Sequence, residues 1–237
     1  MKIIFLGTSH GVPEPHRGCS TTLIEVGGTY YFIDMGMQVA KEMVTRGLSM
    51  DAVKAVFVTH MHGDHINGLV EFADLVSWYY KDADPVIYLP MLKAEALIRE
   101  WLALGGVERA LRYEEVNAGV IFDDGMLKVT AIPTRHMEKS YGFLLEAEGK
   151  HVLFTGDLKH PAEDFPKMNP GTELDLAVCE GAHFSVDAYE PMLKAGKVKK
   201  ICVNHYGAWS MAGIQLLEQK MGGIPVITVS DGMEFQL

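Results

Sequence analysis

The chain has 237 residues, 48% of them apolar, with 21 Lys and Arg against 31 Asp and Glu, giving a formal net charge of −10. That is enough apolar material for one large core, and residues 1–237 read as a single domain. The acidic balance excludes a broad basic surface for gripping phosphate backbones, and no apolar run approaches the roughly 20 residues of a membrane-spanning helix. The opening MKIIFLGTSHG is too weakly apolar for a secretory signal, and three widely spaced cysteines, Cys19, Cys179 and Cys202, form no disulfide framework. Both features point to a cytoplasmic protein with reduced thiols.

KIIFLG (2–7), TTLIEV (21–26) and TYYFID (29–34) are short runs rich in Ile, Phe, Tyr and Thr, and Gly27-Gly28 marks a tight turn between the last two. They predict a meander at one sheet edge. The pattern turns helical over 37–47, stops at Gly47, and returns to a buried strand in AVKAVFVTH (52–60). Apolar side chains at Ile66, Leu69, Val70, Ala73, Val76 and Trp78 predict one helix over 64–80, despite Gly68. A strand at 86–89, a helix at 91–106 and a run of strands from 111 to 155 follow, with turns at NAG, DDG and AEGK. The last third alternates: strand 174–180, helix 186–195, strand 199–204, helix 208–221, strand 225–229. Its one tight basic cluster, KAGKVKK (194–200), reads as a solvated turn. Strands then helices, twice over, predict two similar halves stacked as a four-layer αββα sandwich of the α/β class.

Of the ten histidines, His60, His62 and His65 crowd around Asp64 in THMHGDH. The other ligand-type residues also follow strand ends: KVTAIP leads to His136, HVLFT to Gly156-Asp157, and KKICVN to His205. The crevice beyond strand carboxyl ends is where sites assemble in layered α/β proteins, so these residues are expected to converge. In an extended segment alternate side chains share a face, so His60 and His62 point the same way, while a turn into a helix redirects Asp64 and His65. Imidazole nitrogens and carboxylate oxygens in this number suit two divalent ions, zinc first, with manganese or iron also compatible. Asp157 is suited to span both, since Gly156 lets the backbone approach closely.

These residues resemble the metallo-β-lactamase superfamily along nearly the whole chain. FLGTSHGVP is similar to its opening Gly-rich turn, FIDMG to its strand ending in Asp34, and THMHGDH to its HxHxDH signature; His136, Asp157 and His205 match the later positions in order. The resemblance implies the metallo-β-lactamase fold, with His60, His62 and His136 on one metal, Asp64, His65 and His205 on the second, and Asp157 bridging. The opening LGTSHGVPEPHRGCSTTLIEVGGTYYFIDMG looks most like the branch containing ribonuclease Z and related phosphodiesterases. That branch typically carries a long arm that holds tRNA, whereas residues 137–156 here allow only a short hairpin.

The expected activity is therefore metal-dependent hydrolysis by a hydroxide held between two metals, acting on a small phosphodiester or similarly anionic ester. Lactone or thioester hydrolysis, ribonuclease Z-like tRNA 3′ cleavage and a non-catalytic metal-dependent sensor are the alternatives. Asp64 is expected to accept a proton or orient the nucleophile, and His183 in CEGAHFS to serve the leaving group, with Glu180 as the other candidate. Asp34 is expected to orient a ligand histidine, and His10 and His16 to line the pocket. His151 and His160 read as surface residues. The missing arm and the net charge of −10 set the partner expectation: a small anionic substrate, no nucleic acid and no membrane, with a homodimer left open.

Overall fold

The computed structural model describes all 237 residues. The first half runs β1 (Lys2–Gly7), β2 (Thr21–Val26), β3 (Thr29–Ile33), α1 (Ala40–Thr45), β4 (Val53–Phe57), α2 (Gly63–Ile66), α3 (Leu69–Trp78), β5 (Val86–Leu89), α4 (Lys93–Leu104) and β6 (Arg112–Glu115). The second runs β7 (Gly119–Asp123), β8 (Lys128–Pro133), β9 (Tyr141–Ala147), β10 (Lys150–Phe154), α5 (Pro161–Asp164), β11 (Leu176–Glu180), α6 (Glu190–Ala195), β12 (Ile201–Asn204), α7 (Met211–Met221), β13 (Val226–Thr228) and β14 (Glu234–Gln236).

Two seven-stranded sheets result, in the orders β14-β1-β2-β3-β4-β5-β6 and β13-β12-β11-β10-β9-β8-β7. Each has three antiparallel pairings and then three parallel ones across the sheet: β14-β1-β2-β3 antiparallel and β3-β4-β5-β6 parallel in the first, β7-β8-β9-β10 antiparallel and β10-β11-β12-β13 parallel in the second. The alternation of strand side chains sorts the apolar residues into layers. Ile3, Phe5, Ile24, Tyr31 and Phe57 meet Val129, Phe143, Leu145, Phe154 and Val178 between the sheets. On the outer face of the first sheet, Leu23, Phe32, Val56 and Ile87 pack with Met43, Phe72 and Val76 of the helices. Leu153, Ala177, Cys179 and Val203 do the same under Tyr189, Leu193, Ile214 and Leu217 on the second. This is the predicted αββα sandwich. All three cysteines are buried and free.

Three local differences from the sequence expectations have physical reasons. The helix expected over 64–80 is two helices, because the carbonyl of His65 accepts from Met35 N at 2.7 Å, and Gly68 N donates to Met35 O at 2.8 Å. Both backbone bonds take groups that a continuous helix would use, and they tie the HxHxDH turn to the segment after Asp34. The meander does not form the sheet edge, since β14 pairs outside β1. Helix α1 starts at Ala40 rather than Met37. No helix is long and apolar enough to cross a membrane.

Candidate metal centre

Strand β4 delivers Thr59 and His60 beyond its carboxyl end, and the extended backbone at His62, the residue before α2, keeps His60 and His62 on one side. His136 follows β8, Asp157 follows β10, and His205 follows β12, so segments distant in sequence meet at one edge of the sandwich. His60 Nε2 lies 3.0 Å and His136 Nε2 lies 3.1 Å from His62 Nδ1. On the other side, Asp64 Oδ2 is 3.4 Å from His65 Nε2 and 3.8 Å from His205 Nε2. Asp157 Oδ2 sits between the two groups, 3.6 Å from His60 Nε2, 3.6 Å from His65 Nε2, 3.7 Å from His136 Nε2 and 3.3 Å from His205 Nε2. All seven residues singled out in the sequence are thus brought together. Gly156 has φ of +60°, and a Cβ there would come within 2.4 Å of the Tyr141 carbonyl oxygen. Only glycine allows this close turn into Asp157.

A hydrogen-bond network behind the cluster sets which ring nitrogens face inward. The Asp34 carboxylate receives Thr59 N at 2.7 Å, the Thr59 hydroxyl at 2.9 Å and His65 Nδ1 at 2.7 Å. With its proton given to Asp34, the Thr59 oxygen is an acceptor for His60 Nδ1 at 3.0 Å. His205 Nδ1 donates to the Ser9 carbonyl at 3.1 Å. The Nε2 atoms of His60, His65 and His205 are left pointing into the cluster, and His65 Nε2 is buried without a hydrogen-bond partner. A buried polar nitrogen without a partner costs free energy, which a bound cation would relieve. Donor atoms on bonds of about 2.1 Å at tetrahedral angles stand about 3.4 Å apart, and the cluster spacings of 3.0 to 3.8 Å bracket that value. His/Asp groups able to hold a divalent ion are therefore present, and the donor set fits one. Asp34 and His205 take φ of +58° and +50°, strained for residues with a side chain, at the orienting carboxylate and an inward-facing imidazole.

Electrostatics follow from burial and crowding. Burial, with His65 alongside, pushes His60 down to about 2 against the pull of Asp157. Burial likewise holds His136 down, at about 4. Burial works against the charge of Asp157, yet His205 and His65 hold its carboxyl well below the usual range. The same opposition acts at Asp64, where the neighbouring His65 outweighs burial and lowers it. For His65 burial favours the neutral ring, but the carboxylates of Asp34 and Asp157 outweigh it and raise the imidazole well above its ordinary value.

His183 sits at the lip, its ring centroid 4.6 Å from that of His136. Its Nδ1 lies 3.0 Å from Glu180 Oε1 and 3.8 Å from Asp157 Oδ2. The bond to Glu180 raises the His183 pKa. Glu180 itself is buried and accepts from Leu158 N, Ala182 N and His183 N at 2.7 to 3.2 Å, a carboxylate fully used as an acceptor. His10 lies on the opening loop, its ring 4.2 Å from Trp209, while Gly11 N donates to Asp64 Oδ2 at 3.1 Å. His16 is exposed on the same loop and outside the cluster. Two supports escaped the sequence reading. Thr59 is one; the other is buried Asp164, which receives Arg135 N at 2.7 Å and Lys159 N at 3.0 Å and so clamps the turns bearing His136 and Asp157. A threonine or an aspartate acting behind another side chain carries no motif of its own, so only the fold reveals them.

The sequence profile described as anti-Pycsar protein Apyc1 matches residues 1–209. The chain belongs to that family. Ribonuclease Z of Listeria innocua is 30% identical over 187 residues, covering 75% of this chain and 61% of that protein, so the chain spans about three-fifths of this curated relative. The short form of human tRNase Z superposes with a TM-score of 0.77 at 19% identity, covering 100% of this chain and 99% of the other. The metallo-β-lactamase fold protein YhfI of Bacillus subtilis gives 0.76 at 15%, with 99% of each chain covered. The fold is that of the metallo-β-lactamases, and the resemblance to the ribonuclease Z and phosphodiesterase branch holds. The expectation of a small-molecule substrate with no nucleic-acid partner is overturned, because relatives of this chain are named ribonuclease Z and tRNase Z. It leaned on the short hairpin and on net charge, and net charge is a property of the whole surface rather than of the crevice.

Proposed function

We propose that this chain is a metal-dependent phosphodiesterase that cleaves RNA phosphodiester bonds. The observation that carries it is the convergence of His60, His62 and His136 on one side of Asp157 and of Asp64, His65 and His205 on the other, with His65 Nε2 buried and unpartnered. In this reading the first triad would hold one divalent ion and the second triad another, zinc first, with Asp157 as a further ligand. Bound there, the ions would lower the pKa of a water towards about 7 and neutralise charge developing on the phosphoryl oxygens. The relationship to ribonuclease Z supports RNA as the substrate class.

The chain's own residues do the rest. Asp34 and Thr59 fix the ring orientations of His65 and His60, so their Nε2 atoms face the cluster without rearrangement. Asp64, held by Gly11 N, orients the attacking water. His183, held at Nδ1 by Glu180, which raises its pKa, is placed to donate a proton to the leaving oxygen. Glu180 acts through His183 as a positioning residue. A 3′-extended RNA precursor incubated with zinc- or manganese-supplemented protein should be cut, and His183→Ala should slow cutting by roughly a hundredfold with metal content retained. Absence of metal-dependent cleavage by the parent would sink the phosphodiesterase reading; equal rates in parent and variant would remove His183 from the mechanism.

A further inference from the structure

We infer that Trp209 is a stacking platform for a nucleobase at the mouth of the metal centre, positioning the substrate through a base while its phosphodiester reaches the His/Asp cluster. The inference rests on the phosphodiesterase reading. Trp209 lies in a 3-10 turn, Ala208–Ser210, that follows directly on the His205 segment, and it is 62% exposed. An indole left in water forfeits the burial that stabilises most tryptophans, and flexible tethering would be the simplest outcome. The ring is instead fixed. Its Nε1 donates to the Ala182 carbonyl at 3.4 Å, and the His10 imidazole packs edge-on at 4.2 Å and 70°. It also lies so close over Gly207 that a Cβ there would come within 2.4 Å of two ring carbons. The turn below it is pinned by Ser210, whose hydroxyl donates to the Gly181 carbonyl at 2.6 Å and accepts from Gly207 N at 3.2 Å.

Those anchors are the two walls of the site. Ala182 stands between Glu180 and His183, and His10 precedes Gly11, whose N–H holds Asp64. Trp209 is therefore in register with the catalytic cluster from both sides. The other exposed large aromatics, Trp78, Tyr79 and Trp101, belong to the α3 and α4 segments on the outer face of the first sheet. A rigid indole with an open surface beside a phosphodiester site offers stacking to any base, since every base has a π-face. It would add affinity without a hydrogen-bond code.

The test compares binding of adenosine 5′-monophosphate and ribose 5-phosphate to manganese-supplemented protein, which differ only in the base. The parent should bind the nucleotide more tightly than the sugar phosphate. Trp209→Ala should reduce that ratio about tenfold, within the range of base–aromatic stacking losses, and Trp209→Phe should restore most of it. Equal affinity of the parent for the two probes, or a Trp209→Ala loss shared equally between them, would overturn the platform. The same preparations assayed for RNA cleavage keep the two ideas apart. A base-dependent ratio sensitive to Trp209 in a protein that cuts no RNA supports the platform and defeats the phosphodiesterase reading, whereas RNA cleavage with a base-independent ratio defeats the platform alone.

Discussion

At the scale of single residues, Thr59 has the largest influence for its size. One hydroxyl gives its proton to Asp34 and accepts from His60, so it couples the orienting carboxylate to the buried imidazole. Thr59→Val keeps the shape and removes that coupling. We expect the protein to fold, since Thr59 N retains its own bond to Asp34, while divalent-ion affinity falls roughly 10- to 100-fold, the usual cost of losing such a support. Competition with a chelator of known affinity measures it, and parent-like retention would return Thr59 to a purely structural part. The seven clustered His and Asp residues were legible in sequence because donor-rich side chains at strand ends are rare without a shared purpose. Thr59 and Asp164 were not, because a threonine or aspartate acting behind another side chain carries no pattern of its own. Their roles depend on distances across 25 and 29 residues of sequence.

At the scale of elements, periodicity located the strands and helices but missed where tertiary bonds interrupt them. The gap between α2 and α3 exists because Met35 takes the His65 carbonyl, a contact between segments that no local pattern encodes. Strand β14, only three residues long, has too short an alternation to be read and is defined by its pairing with β1. Where β10 meets β11, Asp175 receives His151 N at 3.1 Å and Lys199 Nζ at 3.0 Å. Burial opposes its charge, but the His151 backbone bond, Lys199 and Lys150 lower its pKa in the folded protein. A carboxylate lowered on folding stabilises above its unfolded pKa of about 3.9, and that contribution is lost as pH falls through the folded value. Asp175→Asn should therefore cost about 1 kcal/mol at neutral pH, with the gap to the parent closing progressively below about pH 4. Denaturant titrations at several pH values test this; a gap constant down to pH 2 would mean the charge is not what matters.

At the scale of the whole molecule, the two sheets repeat one pairing scheme and bring their loops together at one edge, so the cluster belongs to neither half alone. His60, His62, Asp64 and His65 come from the first sheet's side; His136, Asp157 and His205 come from the second. Ions bound there would cross-link the halves and stabilise the native state by mass action, about 2.7 kcal/mol at a hundredfold excess over Kd. We expect about two divalent ions per chain by elemental analysis, and removal by chelator to lower the melting temperature by roughly 5 to 10 °C. A content at or below one ion after supplementation, or an unchanged melting curve, would defeat the two-ion reading. By itself the sequence determined the αββα class, the set of seven clustered residues and, through its motifs, the resemblance to the metallo-β-lactamases, because strand alternation, helical period and donor-rich turns are local properties. Only the tertiary structure decided the break in the helix after His65, the ring orientations set by Asp34 and Thr59, and the placement of Trp209 on the rim. Each of these depends on groups from separate segments coming within a few ångströms, and such proximity is set by packing rather than by any neighbour in the chain.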